Sequence, residues 1–476
     1  MAVHFKFHSA ADLEAECRRL QLPIRLDADL SSFDQPANVG GFKVGNRWCV
    51  QPMEGCDGTS TGAPGELTFR RYQRYGAGGA KFIWGEAAAV VEEGRATPRQ
   101  LLVAPEHAPA FAEIVRSCRA AHRKACGRDD DLFIGLQLTH SGRYSYRRPL
   151  IAFHDPLLDP RTLVDRARGE RVTAAYPPVD DEYLRRLVDP YVAAAKLAYQ
   201  AGFHFVDIKQ CHRYLLNELL AARTRPGPYG GCFENRTRLA RDIITAIRVE
   251  VPGILVASRL NAFDGVPYQK SATGPRGEPA PWQPLVSSVW GTNADNPLEP
   301  DLSEPKAWIA EMHRLGVVCI NVTLGNPYAS PHLLRPFEYP PPDGYETPEH
   351  PLVGVARHFA IAGELQHACA EMPLVGSGYS YLQEFLPQAG AANLREGRIA
   401  FVGVGRASLS QPDFAKQVHD NGRLDRKRVC RTFSYCTALM RSKHNALGQF
   451  AAGCPPFDKE VYGPIWEEAK RKPKTK

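Results

Sequence analysis

The feature that most constrains the fold is an alternation. Eight short apolar runs, at 48–50, 81–84, 132–138, 203–208, 254–258, 317–322, 373–375 and 399–402, are separated by longer segments, of which 65–75 and 105–125 read as helices. Runs of that length, rich in β-branched and aromatic residues, suit buried strands. Strands alternating with helices eight times over predict the α/β class and a closed parallel (β/α)8 TIM barrel. In such a barrel the chemistry lies at the strand ends.

The strand ends carry distinctive residues. The third run finishes on Gln137 and the sequence THSGR; Arg259 closes the fifth. Gly376, Ser377 and Gly378 close the seventh, and Gly405-Arg406 the eighth, offering exposed turn amides and a guanidinium that suit a phosphate monoester. The fourth run opens the most informative stretch, FHFVDIKQCHRYLLNELLAARTRPGPYGGCFENRTR at 203–238. Lys209, His212 and Tyr214 crowd in directly after its apolar residues, and Leu215, Leu216, Leu219 and Leu220 then recur at helical spacing. An apolar strand ending in ionisable groups and running into a helix is the pattern of an active-site loop. Two connections, 144–181 and 261–304, exceed ordinary loop length, so both are expected over the barrel mouth.

The bulk properties narrow the class. A chain of 476 residues accommodates a barrel over 1–425 followed by an extension over 426–476. No segment approaches the roughly 20 apolar residues of a membrane helix, and the N-terminus lacks a signal-peptide core, so a soluble cytoplasmic protein is expected. The 12 cysteines are scattered and read as reduced thiols rather than a disulfide framework. The net charge of +7 is spread without interleaved aromatics, which argues against a nucleic-acid partner. The basic tail at 470–476 reads as solvated.

The stretch 203–238 resembles the fourth strand and following loop of the old yellow enzyme family, the flavin-dependent ene-reductases. Members of that family carry a His-x-x-His/Asn-Gly-Tyr-Leu-Leu segment and then Tyr-Gly-Gly-Ser-x-Glu-Asn-Arg. Lys209 stands where the family has its first histidine. The resemblance covers about 42–418 and implies non-covalent FMN with NAD(P)H as electron donor. It further implies that Gln137 pairs with the flavin pyrimidine ring and that Arg259 stabilises the reduced flavin. Gly376, Ser377, Gly378, Gly405 and Arg406 would hold the phosphate, with Pro52, Met53 and Ala87 against the isoalloxazine. By the same resemblance His212 and Lys209 hold the carbonyl oxygen of an activated alkene, and Tyr214 protonates the α-carbon after hydride reaches the β-carbon.

Two other readings stay open: a flavin-dependent amine or carbonyl-compound dehydrogenase, resembling the trimethylamine dehydrogenase branch, and a catalytically silent flavin-binding subunit. Glu54 is balanced between a flavin-tuning residue and a solvated loop carboxylate, and His140 between a site residue and a structural hydrogen bond. Larger relatives add an iron-sulfur cluster after the barrel. Cys430, Cys436 and Cys454 are one thiolate short of the usual four, so neither a 4Fe-4S cluster nor another metal is expected. The expected partner is a small-molecule substrate, with homo-oligomerisation left open.

Overall fold

A computed structural model of the chain describes residues 4–165, 167–283 and 286–471. Of the basic tail at 470–476, only Lys470 and Arg471 fall within that range. The eight expected strands are present as β1 (Trp48–Val50), β2 (Phe82–Ala89), β3 (Phe133–Thr139), β4 (Phe205–Ile208), β5 (Leu255–Phe263), β6 (Val317–Leu324), β7 (Leu374–Gly376) and β8 (Phe401–Val404). Each pairs with the next in parallel, and β8 pairs with β1, so the sheet closes on itself. The crossover helices are α1 (Glu66–Ala77), α2 (Ala108–Cys126), α3 (Val188–Gln200), α4 (Phe233–Glu250), α5 (Ser303–Arg314), α6 (Pro351–Ala368), α7 (Leu386–Arg395) and α8 (Phe414–Asn421). The chain is a (β/α)8 TIM barrel.

The helices form where apolar residues repeat on one face. α2 buries Phe111, Ile114, Val115 and Cys118, and α4 buries Leu239, Ile243, Ile244 and Ile247. Each such fully buried aliphatic or aromatic side chain contributes about 1.5–3 kcal/mol. α2 stops at Gly127, whose φ of +81° lets its N–H return to the carbonyl of Arg123.

Inside the barrel the side chains sort into layers. At the N-terminal end a core is built from Cys49, Phe82, Trp84, Phe133, Phe205, Ala257, Cys319, Val375 and Phe401, at least one residue from every strand. The rings of Phe82, Phe133, Phe205 and Phe401 pack in edge and stacked contacts at 4.8–5.5 Å. Gly135 makes room for them, since a Cβ there would lie 2.1 Å from the Phe205 ring. A hairpin, Ala37–Val39 with Phe42–Val44, closes this end and adds Val39 and Val44 to the core. The next layer up is polar. Ala87, Gln137 and Asp207 sit in register across β2, β3 and β4, and Arg259 lies opposite Asn321 across β5 and β6.

Two expectations need correction. β5 runs to Phe263, so Arg259 lies within the strand rather than closing it; β2 likewise continues from Trp84 to Ala89. The apolar runs break early because inward residues there are polar or small and find partners inside the barrel. The connection over 261–304 was expected at the mouth, yet none of its described residues lines the large cavity there. Buried Arg213 ties this connection to the 144–181 one, bonding Asp264 and the carbonyl of Ser288 in the first and Asp155 in the second, while Trp290 Nε1 donates to the carbonyl of Asn261 at 2.8 Å. The connection over 144–181 does reach the mouth.

After the barrel, helices α9 (Tyr435–Arg441) and α10 (Lys459–Lys470) share a small core of Leu439, Phe450, Ala451, Tyr462 and Ala469. This segment is bonded to the barrel: Asp458 takes Arg70 and Arg74 of α1, and the N–H of Ala452 donates to the carbonyl of Gly55 at 2.7 Å. Cys430, Cys436 and Cys454 are free, partly buried thiols within it.

Candidate active site

A cavity of about 1160 Å³ opens at the C-terminal end of the strands. Ordinary ligand pockets hold roughly 300–1,000 Å³, so there is room for a cofactor and a substrate together. Pro52, Met53, Ala87, Gln137, Lys209, His212, Tyr214, Arg259, Ser377, Gly378, Gly405 and Arg406 all line it. Gly376 does not. It lies one residue back in β7, where its carbonyl accepts from Gln51 Nε2 at 3.3 Å.

The cavity floor is organised by Asp207. This fully buried carboxylate accepts from Gln137 Nε2, from Trp84 Nε1 at 2.6 Å and from the backbone N–H of Arg259 at 2.7 Å. Burial pushes its pKa up to about 6, against the pull of those three donors. With Nε2 committed to Asp207, Gln137 presents its carbonyl end to the cavity, as an acceptor for an imide N–H. Gln51 is fixed similarly: its Oε1 accepts from Asn321, and its Nε2 donates to Ser377 Oγ at 3.0 Å. Gly378 has a φ of +96° and leaves no space for a Cβ, which would meet His358 at 2.9 Å. The chain turns there as only glycine allows cheaply.

Lys209, Arg259, Arg335 and Arg406 are among the cations that line this cavity. Burial lowers the pKa of each of these four, and repulsion between Arg335 and Arg406 helps to bring Arg335 down to about 9. Buried polar atoms without a partner among the described residues include the donors Arg259 Nε, Arg335 Nε and Nη2 and Arg406 Nη1, and also His212 Nε2. Orphaned donors are costly unless a ligand satisfies them. A flavin mononucleotide has acceptors for them in its pyrimidine carbonyls and phosphate, so the residues present fit that group.

One wall brings together the residues that follow β4. Lys209 is 4% exposed, and its Nζ lies 4.0 Å from the centroid of the Tyr214 ring, a cation–π contact. His212 sits in the left-handed region with φ +67°, a conformation that costs energy for a residue with a Cβ. Burial, with Arg259 and Lys209 nearby, holds His212 neutral. Tyr214 Oη lies 3.1 Å from Tyr328 Oη, and the Tyr328 ring stacks on Tyr144 at 4.2 Å. Tyr144 is held in turn by Asn326 Nδ2 at 2.7 Å. Glu54 also lines the cavity; it is no solvated loop carboxylate, and burial raises its pKa.

His140 resolves as structural. It is 2% exposed, hydrogen-bonds Tyr183 at 2.8 Å and the N–H of Gly142 at 3.1 Å, and lies outside the cavity lining. The polar segment 223–236 is also structural: Arg223 and Arg236 both converge on Glu304, and Arg236 further bonds the carbonyl of Gly231. Reasoning from the sequence missed Tyr328 and Arg335, which follow β6, and Thr437, Arg441 and Gln449 of the post-barrel segment, all of them lining the cavity. Tyr328 was findable, since it follows the end of a barrel strand; the others had no local signal.

Comparison with known proteins agrees with this geometry. The chain is 31% identical over 198 residues to an NADH:flavin oxidoreductase of Gibberella zeae, covering 38% of this chain and 45% of that protein. It is 28% identical over 235 residues to an NADPH dehydrogenase of Bacillus subtilis, covering 48% and 63%. These matches thus span between about half and two thirds of the curated relatives. In fold the chain is similar to a 2-naphthoyl-CoA reductase in complex with 2-naphthoyl-CoA, with a TM-score of 0.67, 16% identity and coverage of 92% of this chain and 58% of that one. It is also similar to morphinone reductase in complex with tetrahydroNAD, with a TM-score of 0.58, 19% identity and coverage of 83% and 92%. The pattern of one family, whose members bind FMN and use NAD(P)H, matches residues 33–277. The chain belongs to the NADH:flavin oxidoreductase / NADH oxidase family.

Proposed function

We propose that the protein is a cytoplasmic ene-reductase, which uses FMN and NAD(P)H to reduce the activated C=C bond of an unsaturated carbonyl compound. The observation that carries this reading is the convergence of Lys209, His212 and the Tyr214 hydroxyl on one wall of the cavity that Gln137, Arg259 and Arg406 also line. FMN, reduced by NAD(P)H, supplies the hydride. The residues of the chain do the rest. Gln137 and Arg259 hold the pyrimidine edge, and the Arg259 cation stabilises negative charge there. Pro52, Met53 and Ala87 support the ring system, while Ser377, Gly378, Gly405 and Arg406 hold the phosphate.

Lys209 and neutral His212 donate to the carbonyl oxygen of the substrate, where charge builds as the β-carbon is attacked. Donors already in place in a water-poor site are the strongest form of such stabilisation. Tyr214 delivers its proton to the α-carbon. Its pKa is raised by burial, so it remains a protonated acid at neutral pH. Tyr328, 47% exposed and hydrogen-bonded to Tyr214, connects that hydroxyl to solvent for reprotonation. At the rim, Arg147, Arg148, Arg161, Arg441 and Lys443 outnumber Asp165, Glu170 and Asp343. The excess favours a substrate with an anionic part, such as an enoate or an acyl-CoA thioester, of which the ligand of the like-folded 2-naphthoyl-CoA reductase is an example.

Anaerobic titration tests the reading. NADH or NADPH should bleach the flavin band, and an enone, enoate or enoyl thioester should restore it. Bleaching by an amine, with no reoxidation by alkenes, would instead favour the dehydrogenase direction. A flavin that neither nucleotide and no amine reduces would leave only the silent subunit.

A further inference from the structure

We propose that Arg335 is a second guanidinium ligand of the FMN phosphate, fastened in place by Thr437 of the post-barrel segment. The inference rests on the FMN reading above and adds a residue from a connection that the barrel pattern does not single out. Arg406, directly after β8, is 8% exposed and half committed: Nη2 donates to the carbonyl of Pro336 at 2.6 Å, and Nη1 has no partner among the described residues. Arg335, immediately before that proline, is committed in the same partial way. Its Nη1 donates to Thr437 Oγ1 at 2.7 Å, while Nε and Nη2 are buried and unpartnered. Both side chains line the same cavity, and among the described residues neither forms an ion pair with a carboxylate.

Two buried guanidiniums facing each other without counter-charge are unfavourable by both desolvation and repulsion. One carboxylate would satisfy only one fork. A phosphate dianion has three terminal oxygens and enough acceptor capacity to take donors from both, which is where paired arginines are most effective.

The anchoring also has a direction. The stretch 327–339, which contains Arg335, is bonded to the post-barrel segment repeatedly: Glu338 N–H to Thr432 Oγ1 at 3.0 Å, Ser434 Oγ to the carbonyl of Tyr339 at 2.7 Å, and Arg441 Nη2 to the carbonyl of Pro327 at 2.8 Å. Thr437 is thus a positioning residue, acting on the phosphate through Arg335.

The test compares FMN with riboflavin, which lacks the phosphate, by fluorescence quenching on apoprotein freed of flavin. Arg335→Gln should weaken FMN binding by about 10- to 100-fold, the usual worth of charge-assisted hydrogen bonds, and leave riboflavin affinity unchanged. Arg335→Lys, keeping charge but losing the fork, should recover part of the loss. Thr437→Val should lower the FMN-to-riboflavin affinity ratio in the same sense by a smaller factor. Equal weakening of both flavins, or an unchanged FMN Kd, would overturn the proposal; should Arg335→Gln fail to fold, Arg335→Lys and Thr437→Val decide it by the same ratio. If the parent protein itself binds FMN no better than riboflavin, it is the FMN reading that fails.

Discussion

Replacing Lys209 with methionine should raise the stability of the protein while lowering its turnover. Methionine keeps much of the volume of the lysine stem and removes the ammonium. Lys209 is 4% exposed with its ammonium over the Tyr214 ring, and burial is the largest influence on it, lowering its pKa below 10.5 against the opposing pull of Glu54 and Asp207. The sign follows from linkage. Between the lowered folded pKa and the unfolded value near 10.5 the unfolded chain binds more protons, so stability rises with pH there. The cost is therefore greatest below the folded pKa and vanishes above the unfolded one. Lys209→Met removes this cost but also forfeits a cation–π contact worth ~0.5–2 kcal/mol. Its stability advantage over the parent should be largest at low pH and shrink as pH approaches 10.5. Turnover should drop by about one to two powers of ten, for a lost charge-assisted hydrogen bond of ~1.5–3 kcal/mol. Thermal unfolding at pH 6, 8 and 10, beside kcat/KM for an enone, measures both effects. Parent-level turnover, or a uniform loss of stability at all three pH values, would refute the reasoning.

Other substitutions probe separate parts of the account. Gly378→Ala should lower FMN retention and thermal stability together, because its Cβ would meet His358 at 2.9 Å at a φ of +96°; a crystal structure with an unmoved backbone and full flavin occupancy would contradict this. Glu304→Ala should destabilise the protein by about 1–3 kcal/mol in denaturant melts, less than a fully buried pair would cost because Glu304 is 31% exposed. FMN affinity should not change in that variant, since the Arg223–Arg236–Glu304 cluster lies outside the cavity. Tyr328→Phe should slow alkene reduction several-fold and alter its solvent isotope effect, while flavin reduction by NAD(P)H proceeds at the parent rate.

The barrel was legible because its strands are buried on both faces, so they read as continuous apolar runs such as 203–208. Their true ends were harder to place. Arg259 and Asn261 point into the barrel, where Asn261 Nδ2 bonds Asp264 at 2.6 Å, and polar residues at inward positions look like the end of a strand. The site was legible to the extent that it is made of strand-end residues: Gln137, Lys209, His212, Tyr214 and Arg406 all reach one cavity. Arg335 and Thr437 were not legible, because their meeting depends on how the post-barrel segment packs, which no local spacing encodes. The segment 223–236 was recognised as distinctive without its physical role, that of fastening the start of α4 to Glu304. The course of the connection over 261–304 was not legible, because it depends on long-range contacts such as the Arg213 ion pairs with Asp264 and with Asp155 of the other connection.

The most direct test of the central claim is stopped-flow separation of the two half-reactions in Tyr214→Phe. If Tyr214 is the acid that protonates carbon, reoxidation of the reduced flavin by an enone or enoate should slow by about 10² to 10⁴, and reduction by NAD(P)H should keep the parent rate. Equal slowing of both half-reactions, or parent rates in both, would contradict the account and assign the proton to another source.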